Sequence, residues 1–89
     1  MNTYLFIISG KVQHVAYRKA IQQMAAFGHI QGYVKNLSDK TVKVVAFLYD
    51  DQLDDFKALL QNGSPLSEVT NIEQSLTDEE MLYDGFEIK

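Results

Sequence analysis

Arg18 is the sole arginine in a chain of 89 residues, and it stands in "SGKVQHVAYRKA" (9–20), where a helix is about to begin. The macrodipole makes that end of a helix partly positive, so a cation there is mildly unfavourable. The first helical turn also leaves main-chain N–H groups without partners, and together with the dipole these form a place for an oxyanion. Lys11 adds a second cation to the loop, and no acid follows in the first turn to offset the dipole. Arginine suits phosphate or carboxylate because its planar fork donates two parallel hydrogen bonds. These residues together point to an anion held by the loop before the first helix. The plainer reading is that Arg18 and Lys19 are solvated on a helix surface. The loop is not a Walker ATP motif, because the segment lacks the second glycine and the Lys-Ser/Thr pair of that motif, and an ATP site is disfavoured.

The charge distribution favours an anion site in the same half. The net charge is −4, which argues against nucleic-acid binding by long-range attraction. Residues 1–38 hold Lys11, Arg18, Lys19 and Lys35 and no acid, whereas all twelve acids lie in 39–89 beside four lysines. The N-terminal half therefore carries a cationic patch. Cysteine is absent, which removes disulfides, thiolate metal sites and a cysteine nucleophile. Two histidines without neighbouring acids make no metal set, so neither a metal nor a cofactor is expected. "YLFII" is too short for a membrane span or a signal peptide. The expectation is a cytoplasmic monomer forming one domain over 1–89, with no nucleic-acid or membrane partner.

The elements that must position this loop follow from apolar periodicity. "TYLFIIS" (3–9) reads as a central strand covered on at least one face. Tyr17, Ala20, Ile21, Met24 and Ala25 recur at helical spacing up to Phe27, and Gly28 caps that helix. "IQGYVKNL" (30–37) and "TVKVVAFLY" (41–49) form a hairpin around "SDK", with Val42, Val44, Ala46 and Leu48 on one face. Asp50 and Asp51 open a second helix with Asp54 and Asp55 near its positive end, and Leu53, Phe56, Leu59 and Leu60 make its buried stripe. "NGSP" (62–65) stops it. A polar edge strand (67–76), a "TDEEM" loop and a short last strand in "GFEIK" complete the chain. The order β-α-β-β-α-β is the ferredoxin-like α+β sandwich, an antiparallel sheet with two helices on one face and a short extra C-terminal strand.

"GKVQHVAYR" (10–18), "GYVKN" (32–36) ending eighteen residues after the arginine, "NGSP" and the closing "YDGFEI" resemble the acylphosphatase family in the same order. The joint occurrence of the first two motifs at this separation is specific. The resemblance implies hydrolysis of acyl phosphates, a small-molecule substrate class. It implies that the motif arginine, Arg18, and the loop amides of Gly10, Lys11, Val12, Gln13, His14 and Val15 bind the phosphoryl group. It further implies that Asn36 positions the attacking water. Taken alone, an asparagine near a turn suggests local backbone bonding. The chemistry agrees with what the sequence lacks: a carboxylate whose conjugate acid has a pKa of roughly 4 leaves without a general acid.

Three positions depart from the family pattern. His14 replaces a loop glycine, Lys40 stands where relatives have a turn glycine, and Tyr49 follows the third strand where glycine is common. Left-handed geometry at position 14 would cost a histidine about 1 kcal/mol. The stripe Tyr17, Ile21, Met24 and Phe27 reads as core, and Asp50, Asp51, Asp54 and Asp55 read as dipole compensation rather than a metal cluster. The alternative function is an anion-binding or regulatory module with weak turnover. An RNA-binding ferredoxin-like domain is disfavoured, because strands one and three lack the aromatic and basic signature.

Overall fold

The computed structural model describes residues 1–80 and 84–89. Met81 of the "TDEEM" loop and Tyr83 of the closing motif lie outside the described residues. The elements are β1 (Asn2–Lys11), α1 (Tyr17–Phe27), β2 (Gln31–Asn36), β3 (Val42–Leu48), α2 (Leu53–Asn62), β4 (Glu68–Leu76) and β5 (Phe86–Ile88). The sheet runs in the order β4-β1-β3-β2-β5. This is the ferredoxin-like fold. Its first three pairings are antiparallel, and β5 pairs parallel with β2. The sheet is therefore mixed rather than wholly antiparallel.

Strand alternation puts Tyr4, Phe6 and Ile8 on the same face as Val42, Val44, Ala46 and Leu48, and all are buried. Tyr17, Ile21 and Ala25 of α1 and Phe56 and Leu60 of α2 close over that face as one core. Phe6 and Phe56 meet with ring centroids 5.4 Å apart, a tilted contact of the favoured kind. Leu53, Met24 and Leu59 are half-buried at the margin of this core. Phe27 is not in it: its side chain is 89% exposed. The buried positions of α1 fall every fourth residue, and Phe27 comes two after the last, roughly 200° around the helix.

The second helix begins differently from its acidic signature. Asp50–Gln52 is a single 3-10 turn, and α2 proper starts at Leu53 with Asp54 and Asp55 in its first turn. Asp50 accepts hydrogen bonds from the Tyr4 hydroxyl and the Asn2 amide, so it fastens this turn to the start of β1. Tyr49 has φ −73, which any residue adopts, so no glycine is needed there.

The end of β1 sets up the loop. Its register with β4 shifts between Ser9 and Gly10. Gly10 has φ +122, and a Cβ there would lie 2.0 Å from the Glu68 carbonyl oxygen. Only glycine allows that close approach, and past the irregularity Gly10 and Lys11 still pair with Val69 and Glu68 of β4 before the chain enters the segment leading to α1.

Candidate active site

Between β1 and α1 the chain turns through two left-handed residues, His14 at φ 62 and Ala16 at φ 61. Such alternation turns successive amide N–H groups toward one side and makes an anion-binding concavity. Ala16 is the N-cap of α1 and offers no side-chain acceptor to the first turn. Among the described residues, the N–H groups of 14–19 find no main-chain acceptor. No acid stands in the first turn of α1.

Val12, His14, Arg18 and Asn36 line one cavity of about 200 Å³, together with Ala16, Tyr17, Lys19 and Ile88. Its lining includes the cations Arg18 and Lys19 and, among the described residues, no Asp or Glu. Arg18 is the second residue of α1, and its Nη1 donates to the main-chain oxygen of Lys89 at 3.1 Å. Asn36 closes β2 opposite Val42. Strand alternation puts it on the same face as Val34, the face that α1 covers. Among the described residues, its Oδ1 is the buried side-chain polar atom left without a hydrogen-bond partner.

The remaining loop residues lie elsewhere. Gly10, Lys11 and Gln13 line an adjoining cavity with Lys40, sharing Val12 and His14 with the first. Val15 is buried in the core. Gln13 Nε2 donates to the carbonyl oxygens of Leu37 and Thr41, each at 2.9 Å, so its side chain staples the loop to the hairpin beyond Asn36. Lys19 and Ile88 are site residues that sequence reasoning did not single out. Lys19 was visible only as charge, and Ile88 arrives through the parallel β2–β5 pairing, which no local pattern announces.

The loop is also held from below. Tyr17 donates its hydroxyl to the Leu60 carbonyl oxygen at 2.7 Å, and burial pushes its phenol well above the ordinary tyrosine range. Ser64, in the "NGSP" turn, donates Oγ to the Val15 carbonyl oxygen at 2.6 Å.

The acylphosphatase family model matches residues 4–88. The chain belongs to the acylphosphatase family. An acylphosphatase of Actinobacillus pleuropneumoniae is 43% identical to it, covering 100% of this chain and 99% of the relative. One of Borrelia garinii subsp. bavariensis is 43% identical, covering 83% of this chain and 81% of the relative. The crystal structure of the Bacillus subtilis acylphosphatase superposes with a TM-score of 0.90 at 32% identity, over 100% of this chain and 99% of that one. Membership carries the activity class: the chain is an enzyme that hydrolyses the carboxyl–phosphate anhydride of small acyl phosphates. Among the described residues, no helix is long and apolar enough to cross a membrane.

Proposed function

We propose that the Arg18–Asn36 cavity is where this hydrolysis occurs, by direct attack of water on phosphorus. Arg18 and the amides at the start of α1 hold the phosphoryl oxygens. Gly10, Lys11, Val12, Gln13, His14 and Val15 shape the loop that presents those amides, and Lys11 adds positive potential beside it. Asn36 accepts a hydrogen bond from the attacking water and orients its lone pair toward phosphorus. The bond from water oxygen to phosphorus forms as the bond from phosphorus to the acyl oxygen breaks. The carboxylate takes the electron pair, and both water protons leave with the phosphate, as dihydrogen phosphate that then equilibrates with solvent.

The observation that carries this reading is the unpartnered Asn36 Oδ1. A buried acceptor without a donor costs about 1–3 kcal/mol, so a structural role gives no return for it. A water between Asn36 and a phosphoryl group held by Arg18 would satisfy that atom. Phosphoryl transfer needs mainly positioning and stabilisation of charge on the equatorial oxygens. An arginine, a row of amides and an orienting side-chain carbonyl supply both.

In our reading the enzyme works as a single domain over 1–89, a monomer in the cytoplasm. Hydrolysis of benzoyl phosphate in oxygen-18 water tests the mechanism. The expected label is in inorganic phosphate. Label in benzoate would mean attack at the acyl carbon, and phosphate binding with no turnover would favour the regulatory module instead.

A further inference from the structure

Among the described residues, Ser64 is the polar side chain that the fold buries, with 6% of its surface exposed. Its surroundings hold it in one place. Its N–H donates to Ser67 Oγ at 2.9 Å, and its carbonyl oxygen accepts from Ser67 Oγ at 2.9 Å and Ser67 N–H at 3.1 Å. The preceding Gly63 has φ +51, and a Cβ there would lie 2.5 Å from the Tyr17 ring. The turn after α2 therefore presses against the loop without a side chain between them. From this fixed position Ser64 Oγ donates to the Val15 carbonyl oxygen at 2.6 Å.

That bond has a consequence on the opposite side of the loop. In a trans peptide the carbonyl of one residue and the N–H of the next point in opposite directions, and among the described residues no peptide is cis. Val15 sends its side chain into the core and its carbonyl to Ser64. The N–H of Ala16 must then point away from Ser64. Ala16 lines the cavity that Arg18 and Asn36 share, and no main-chain acceptor takes its N–H.

We propose that Ser64 is a positioning residue which, by holding the Val15 carbonyl, aims the Ala16 N–H into the Arg18–Asn36 cavity as a donor to a phosphoryl oxygen. This rests on the active-site reading given above. Without the serine hydroxyl, the Val15–Ala16 peptide is free to rotate and present its carbonyl to the anion. A donor would then be exchanged for a repelling dipole. Loss of one donor of this kind lowers turnover by about 100-fold.

The test is a titration of the full chain with inorganic phosphate, followed by the amide signals of Ala16 and Arg18 in proton–nitrogen NMR spectra. In the wild type both signals move, with the Ala16 proton shifting downfield. In Ser64→Ala the Ala16 shift is lost and kcat/KM for benzoyl phosphate falls by about 100-fold. Phe56→Leu, which weakens the core at its Phe6 contact and leaves the Ser64–Val15 bond in place, lowers the melting temperature but keeps the Ala16 shift and the turnover. An Ala16 signal indifferent to phosphate while Arg18 responds would overturn the proposal from the wild type alone, even if Ser64→Ala failed to fold. Wild-type turnover and phosphate affinity in a folded Ser64→Ala would overturn it as well. A wild type that neither binds phosphate nor hydrolyses benzoyl phosphate would instead remove the active-site reading, and this proposal with it.

Discussion

Gln13 Nε2 donates to the carbonyl oxygen of Leu37 at 2.9 Å, and Leu37 directly follows Asn36. The same nitrogen reaches Thr41 O across the mouth of the hairpin at 2.9 Å. One side chain thus ties the loop before α1 to the strand end that carries Asn36. The loop and Asn36 come from different parts of the sequence, so their separation depends on ties of this kind. Gln13→Leu should lower the melting temperature by several degrees, since a lost buried hydrogen bond costs about 1–3 kcal/mol. It should also reduce kcat, because small misplacements of reacting groups cost up to about 100-fold. A lower melting temperature with unchanged kcat would show that other contacts set the distance.

His14 occupies a left-handed conformation, φ 62, at the mouth of the cavity. A histidine held in that left-handed geometry is strained by about 1 kcal/mol. His14→Gly should raise the melting temperature by a few degrees, as about 1 kcal/mol of strain is relieved. Turnover of benzoyl phosphate should hold or rise, because glycine lets a ligand approach the backbone more closely. A fall in turnover would mean that the imidazole takes part in binding the substrate.

Lys40 has φ 74 in the turn of the hairpin. Lys40→Gly should therefore stabilise the chain, by up to about 1 kcal/mol in a thermal melt. The side chain lies beside the adjoining cavity and not in the one that holds Arg18. A melting temperature that stays the same or drops would show that the turn tolerates lysine without strain.

Two carboxylates make the fold sensitive to acid. The Thr41 hydroxyl, and then the Thr41 N–H, hold the Asp39 carboxyl below its usual range. The Tyr4 hydroxyl, and then the Asn2 amide, do the same for Asp50. A depressed folded-state value contributes stability above the unfolded value of about 3.9 and loses it as pH falls through the folded value. The melting temperature should fall as pH drops from about 5 to about 2. The double variant Asp39→Asn, Asp50→Asn should show a shallower fall over that interval. Equal slopes would mean that other acids carry the acid sensitivity.

The legible parts of this protein were those that local periodicity controls. The span of α1, the hairpin face of Val42, Val44, Ala46 and Leu48, and the polar edge strand β4 all follow from apolar spacing and agree with the structure. The missing acid at the start of α1 was readable too, because it is a matter of composition within one turn. Phe27 misled because apolar character at a helix end does not fix which side it faces. Asp50 misled because its partners, Asn2 and Tyr4, lie at the other end of the chain. Ser64 and Gln13 gave no signal of their hydrogen bonds for the same reason: each partner is more than twenty residues away. Tertiary hydrogen bonds of this kind write nothing into local sequence beyond the residue type.

The central claim is that Arg18 and Asn36 act at one cavity with separate tasks, and steady-state kinetics on benzoyl phosphate with inorganic phosphate as inhibitor tests it most directly. Arg18→Ala should lose about 100-fold or more in kcat/KM together with phosphate inhibition. Asn36→Ala should lose kcat while phosphate inhibition stays near wild type, with both variants folded. Wild-type kcat in either folded variant would contradict it.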